Sequence, residues 1–291
     1  MLSIFKREFK SYFTNMTGYL VIGVMFIFCG IFTTAICLVN GYSSFEVVLS
    51  QMVTVIMFLV PILTMKSLAE DRRSRTDQLL YSLPISMTQI VLGKYFALVA
   101  IFGISCAGMA FVPPILSAFV PEESDYSLTS AYAALLGFFL LGASLIAICM
   151  FFSGLTESQI IAAVLGLAVS LAFYLMNALA YLLPTTAAGS LACFIVVALL
   201  VAALMWFLTK NYLVGAVAGV ILLIPTIICF VLMQDKFEGL FPSLIEYLAI
   251  FDRYSLMTNG VFDVTAIIYF ISMAVFFLFL SVQSMEKRRW N

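Results

Sequence analysis

Lys66-Ser67-Leu68-Ala69-Glu70-Asp71-Arg72-Arg73-Ser74-Arg75-Thr76-Asp77, followed by Gln78-Leu79-Leu80-Tyr81-Ser82-Leu83-Pro84, is the densest block of charge in this chain, and it lies between two long apolar runs. The sequence is 64% hydrophobic and only 10% charged. Such a block therefore marks a segment kept in water, with chain suited to lipid on both sides of it. The mean hydropathy of the whole chain, +1.15, exceeds that of soluble domains, and its apolar stretches have to satisfy their backbone polar groups inside a bilayer. The alternation of period two, broken by turns, that marks a membrane barrel is absent, so helices are the expected solution.

A spanning helix needs about 20 apolar residues. Candidate spans are Tyr19–Val39, Val47–Met65, Ile90–Pro113, Tyr132–Phe152, Ile160–Leu183, Leu191–Leu208, Tyr212–Met233 and Val264–Val282, the sixth being short. The expected fold class is an all-α polytopic membrane protein of about eight transmembrane helices. With the N-terminus in the cytoplasm, the inside receives Lys6, Arg7, Lys10, Lys66, Arg72, Arg73, Arg75, Lys94, Lys210, Lys287, Arg288 and Arg289, and the outside only Lys236 and Arg253. That asymmetry orients the chain with both termini cytoplasmic. The expected organisation is an interfacial helix over 1–16, spans one and two over 17–65, a cytoplasmic segment over 66–88 and spans three to five over 89–183. An apolar hairpin over 184–233, an outer interfacial segment over 234–262, the last span over 263–283 and a cytoplasmic tail over 284–291 complete it.

The opening basic residues precede an apolar run too long for a signal peptide, with no clear cleavage site after it. Leu2, Phe5, Phe9, Tyr12 and Phe13 share one helical face and Lys6, Arg7, Glu8 and Lys10 the other, which reads as a helix lying in the interface; a frayed basic tail is the alternative. Ser86-Met87-Thr88-Gln89, Thr156-Glu157-Ser158-Gln159 and Ser243-Leu244-Ile245-Glu246 have the capping-box pattern of helix starts. Small-residue pairs at Gly215–Gly219, Ala133–Gly137 and Ala162–Gly166 would let helix backbones approach. All six cysteines fall within candidate spans, without metal-type spacing.

What is missing narrows the chemistry. No Asp, Glu, Lys or Arg stands deep in a candidate span, whereas ion-coupled carriers need such groups at membrane depth. Gln51 and Asn177 are the deep polar residues and the candidates for a pathway. No phosphate-binding G-x-x-x-x-G-K-[ST] occurs, so any uphill movement must be powered by another chain. The chain has no His, which removes HExxH zinc sites, Ser-His-Asp triads and imidazole acid/base catalysis. No enzymatic activity, bound cofactor, metal or nucleic-acid partner is expected of the chain itself.

The charged block offers more. As a helix continuing from the second span it would make i,i+4 pairs at Lys66–Glu70, Asp71–Arg75 and Arg73–Asp77, with Leu79, Leu80 and Leu83 as an apolar knob and Pro84 as its stop. That pattern suits docking into a groove of a cytoplasmic protein. A solvated loop that only sets topology and touches anionic lipid is the alternative.

The run from Pro61 to Ser86 resembles the corresponding region of ABC-2-type transporter permeases, in particular the gliding-motility-type branch. So do the opening Ile4-Phe5-Lys6-Arg7-Glu8-Phe9-Lys10-Ser11-Tyr12-Phe13, the turn Leu155-Thr156-Glu157-Ser158-Gln159, and the end from Gly260 to Trp290. The resemblance implies an exporter transmembrane domain in which two permease copies, identical or related, pair in the cell membrane. Each would dock on a cytoplasmic ATP-binding subunit that holds the ATP. It also implies that Glu70, Asp71, Arg72, Arg73, Arg75, Asp77, Leu79, Leu80 and Leu83 form the coupling contact, and that Phe5, Lys6, Arg7 and Phe9 belong to a connecting helix. The segment Leu191–Met233 departs from the usual six spans and reads as an extra apolar hairpin. A carrier with its own ion coupling and a non-transporting membrane scaffold are the alternative functions.

Overall fold

The computed structural model describes residues 1–39, 44–74, 86–119, 127–209, 212–232, 237–258 and 263–289, and every regular element among them is a helix. Inside a bilayer a helix bonds its amides within one segment, which an open strand cannot do. In chain order these are α1 (Leu2–Thr14), α2 (Thr17–Thr33, continued by a wider π-type stretch over Thr34–Val39), α3 (Phe45–Thr64), α4 (Ala69–Arg73), α5 (Met87–Met109), α6 (Val112–Phe119), α7 (Leu128–Ser153), α8 (Gln159–Leu182), α9 (Ala187–Thr209), α10 (Tyr212–Leu232), α11 (Leu240–Leu248), α12 (Ile250–Thr258) and α13 (Val264–Arg289).

Among the described residues, six segments are long and apolar enough to cross a membrane: Thr17–Val39, Phe45–Arg73, Met87–Phe119, Leu128–Ser153, Gln159–Leu182 and Val264–Lys287. Shorter apolar stretches, Ala187–Ala203 and Gly219–Ile228, lie within α9 and α10. The sixth expected span is not short as a helix, since α9 runs for 23 residues. The third ends earlier than its hydropathy implies. α5 stops at Met109, the chain turns at Ala110 and Phe111, and Pro113-Pro114 sit in the first turn of the separate helix α6, where a missing N–H costs little.

Residues Met1–Ala172 with Ile250–Asn291 form one compact unit, and Phe173–Ala249 another; the boundary falls within α8. In the first unit α7 is the central helix, packed on α3, α5, α12 and α13, and its residues from Leu141 to Met150 are buried without a break. Helices in lipid gain little from apolar burial alone, so close packing has to hold them. Gly142 lies under the ring of Phe102, Gly137 under Met257 of α12, and Gly166 of α8 against Pro61 and Cys149. Two of the expected small-residue pairs, Ala133–Gly137 and Ala162–Gly166, thus each place their glycine at a helix contact. On the outer surface of this unit Ile27, Ile31, Ile268 and Phe279 stay more than half exposed, as suits side chains that face lipid.

The second unit packs α9 against α10 and α11. Gly219 brings α10 close to Ala202 of α9, and Phe194, Phe230, Phe237 and Phe241 form a cluster with edge-on ring centroids 5.0 to 6.0 Å apart. Gly239, at φ +67, caps α11 and donates its N–H to the Thr185 carbonyl at 2.7 Å. This helix therefore begins at Leu240, with its cap four residues before the expected cap at Ser243, and Ser243 bonds back to Gly239 from its first turn. On α11 Leu244, Tyr247 and Leu248 are exposed.

Candidate functional site

At the α1 end of the first unit the charged connection after α3 is built into three other helices. Pro61 lies in the last turn of α3 and cannot donate a backbone bond. The Thr64 hydroxyl there bonds to the Val60 and Pro61 carbonyls at 2.9 and 3.3 Å. The helix then stops. Met65–Leu68 form a turn, and the short helix α4 follows. A continuous helix from the second span through the charges, as the i,i+4 pattern implies, is not what forms.

The reason lies in Ser153, the last residue of α7, which is fully buried. Its Oγ accepts the amides of Leu68 and Ala69 at 3.4 and 3.3 Å and donates to the Met65 carbonyl at 3.1 Å. The backbone groups freed by breaking the helix are thereby satisfied by a side chain 84 to 88 residues away. Gly154 caps α7 and leaves room for Leu68, whose Cδ1 would lie 3.0 Å from an added Cβ.

Lys94, counted with the cytoplasmic charges in sequence, is buried in α5 at 3% exposure. Its Nζ donates to the Ser67 carbonyl at 2.7 Å and pairs with Asp71 Oδ2 at 2.7 Å and Glu8 Oε1 at 3.3 Å. Arg7 extends the chain of charge with a 2.9 Å contact to Glu8. The expected Lys66–Glu70 pair is not among the ion pairs of the described residues. Asp71 is drawn to the buried lysine, because an ammonium taken out of water needs close acceptors more than an exposed one does; the partner expected for it at Arg75 lies outside the described residues.

On α1, Glu8 leaves the expected polar face. Ile4, Glu8 and Tyr12, spaced four apart, turn inward, while Leu2 is exposed. Ile4 packs on Gly93 of α5. The Tyr12 hydroxyl donates to the Leu63 carbonyl at 3.4 Å, and burial, reinforced by the carboxylates of Glu8, Glu70 and Asp71, holds its phenol well above the ordinary range. Phe5, Phe9 and Phe13 form a half-buried ladder beside this seam, with ring centroids 5.8 and 4.9 Å apart. Lys6, Arg7 and Lys10 face out.

Of the expected coupling residues, Glu70 and Arg73 are exposed, Asp71 is partly buried in the Lys94 cluster, and Arg72 is buried at 9% exposure. Arg75, Asp77, Leu79, Leu80 and Leu83 lie outside the described residues. Of the pathway candidates, Gln51 is exposed on α3 and Asn177 half-buried on α8. The expected cap at Ser86 is present, its Oγ taking the Gln89 amide at 3.4 Å. At the other turn the Thr156 hydroxyl bonds Ser158, and α8 starts at Gln159. Among the described residues no group of three or more His, Cys, Asp or Glu is placed to hold a metal ion.

Sequence reasoning missed Ser153 as a partner of the connection and Lys94 as its buried charge. Lys94 carried a signal, a lone lysine inside a candidate span; Ser153 carried none. The arrangement can hold a short polar helix rigidly against three membrane helices while presenting Glu70 and Arg73, with the basic side of α1, to water. The family model described as ABC-2 family transporter protein matches residues 7–232, most of the chain. No curated protein matches the chain. Nor does any solved structure.

Proposed function

We propose that this chain, which belongs to the ABC-2 transporter family, is the multi-pass permease subunit of an ATP-binding-cassette exporter of the gliding-motility-type branch. It carries no motor of its own. A separate cytoplasmic ATP-binding subunit binds and hydrolyses the ATP, two permease copies pair in the cell membrane, and both termini face the cytoplasm. The observation that carries this reading is the connection Met65–Arg73. It is clasped by Ser153 and Lys94 on its inner side, yet it leaves Glu70 and Arg73 open on the outer side.

That combination supports docking. A surface that only set topology would not need three side-chain hydrogen bonds and a buried ammonium to hold it. Attached to an ATPase, a rigid connection passes displacement to the helices that clasp it, whereas a loose loop would absorb it. The twelve basic residues assigned to the α1 side against two on the other support placing that side in the cytoplasm. The helices α9 and α10 supply the extra apolar hairpin.

The test is co-expression with an ATP-binding subunit encoded beside the chain, followed by affinity purification. The two proteins copurify if the reading holds, and reversing both exposed charges, Glu70→Lys with Arg73→Glu, weakens the complex at least about tenfold. Undiminished association of the double reversal removes the assigned docking face.

A further inference from the structure

Lys94 lies seven residues inside α5, about 10 Å from its start at 1.5 Å per residue. A charge held there is costly, and such residues persist where they do something. Its ammonium has three donors, and three acceptors surround it: Glu8 from α1, Asp71 from α4 and the Ser67 carbonyl from the turn between α3 and α4. None of the three belongs to α5. The two carboxylates would repel each other without the cation between them, so the elements that carry them are joined through one nitrogen atom.

We infer that Lys94 is a positioning residue that makes α1 and the Met65–Arg73 connection move as one lever with α5, the third span. The inference rests on the reading of this face as the ATPase-docking face and adds to it a residue which that reading does not require. Ser153 fixes the connection to α7 through neutral hydrogen bonds, which can shift by small steps. The Lys94 cluster is different. Its charges cannot separate without leaving an uncompensated ion in a poorly hydrated place, so a push on either α1 or α4 is delivered to α5.

A merely structural lysine predicts something else. Replacing a buried ion cluster by an apolar side chain of similar length is often neutral or stabilising, so Lys94→Met would then leave the connection as firm as before. The lever predicts loosening at a distance, and Glu8 and Asp71, at 14% and 19% exposure, allow milder variants that keep the fold should Lys94→Met fail to assemble.

Hydrogen exchange on the full chain in lipid nanodiscs reads this directly. With Lys94→Met, exchange in residues 2–14 and 65–73 is expected to quicken at least about tenfold, and with Lys94→Arg to stay near that of the parent chain. Glu8→Gln is expected to quicken exchange in 65–73 as well, since among the described ion pairs Glu8 is joined to that connection through Lys94. Unchanged exchange in 65–73 for Lys94→Met, or a Glu8→Gln effect confined to α1, overturns the inference. In the complex with the ATP-binding subunit, adding ATP should alter exchange in both 65–73 and 87–98 of the parent chain. In the Glu8→Gln, Asp71→Asn double variant it should alter the first segment only, and a response retained in both segments overturns the lever. Loosening in a chain that binds no ATP-binding subunit supports the cluster's role and overturns the docking reading, so the two failures are told apart.

Discussion

The Ser153 hydroxyl, at the last residue of α7, lies 3.1 Å from the carbonyl of Met65, where α3 has just ended. With the Leu68 and Ala69 amides on the same oxygen, one side chain accounts for the break between the second span and the charged connection. Ser153→Ala leaves two buried amides and a carbonyl without that partner and should cost about 1–3 kcal/mol. Ser67→Ala is the control. The Ser67 hydroxyl is buried without a hydrogen-bond partner, so its removal should stay within about 0.5 kcal/mol or stabilise slightly. Denaturant unfolding of the two variants in detergent micelles, monitored by tryptophan fluorescence, compares them, and equal losses would contradict the assignment.

Gly93 should show a reversal of sign. An added Cβ would lie 3.0 Å from Ile4 Cγ2 and 3.3 Å from the Met1 carbonyl, so Gly93→Ala crowds α1 by about 1–3 kcal/mol. That outweighs the gain of about 1 kcal/mol in helix propensity. In an Ile4→Gly background both Ile4 contacts, Cγ2 at 3.0 Å and Cβ at 3.1 Å, are gone, and the same change should become neutral or stabilising. Thermal unfolding of the four chains in one double-mutant cycle measures this, and additivity within error would count against the α1–α5 contact.

Neighbouring arginines should respond in opposite ways. Arg72→Glu places a buried negative charge beside the partly buried Asp71 and should destabilise the chain by about 3 kcal/mol or more. Arg73→Glu, on the exposed side of α4, should alter stability by no more than about 0.5 kcal/mol while weakening association with the ATP-binding subunit. Size-exclusion profiles and thermal melts report the first effect, and copurification the second.

Alkaline titration should expose Tyr12. The folded chain holds the phenol proton more tightly than the unfolded chain does. Its contribution to stability is therefore complete below the unfolded value of about 10 and declines as pH rises beyond it. Tyr12→Phe should lose only a 3.4 Å hydrogen bond at neutral pH and flatten the alkaline decline. Unfolding midpoints measured at about pH 8 and about pH 11 test this, and parallel declines in the two chains would refute it.

Much of the charged connection and its surroundings was legible from local pattern, and the failures share a cause. The charged block, the cap at Ser86 and the aromatic face of α1 were visible as periodicity and composition. Yet Glu8 was assigned to the polar face because it is charged. The structure reverses this, since Lys94, 86 positions further along, offers Glu8 a cation. The i,i+4 rule likewise paired Lys66 with Glu70, because it knows only neighbours on one helix.

The amino-acid order alone determined that this is a helical membrane protein, where its apolar helices fall and which segment stays polar, because those properties depend on hydropathy summed over about 20 residues. Tertiary structure decided which charges are buried and where the second span breaks. Both depend on single hydrogen bonds and ion pairs between residues far apart in the chain, such as Ser153 with Met65 and Lys94 with Glu8, and whether a polar group is stable out of water is settled by the partner that meets it there.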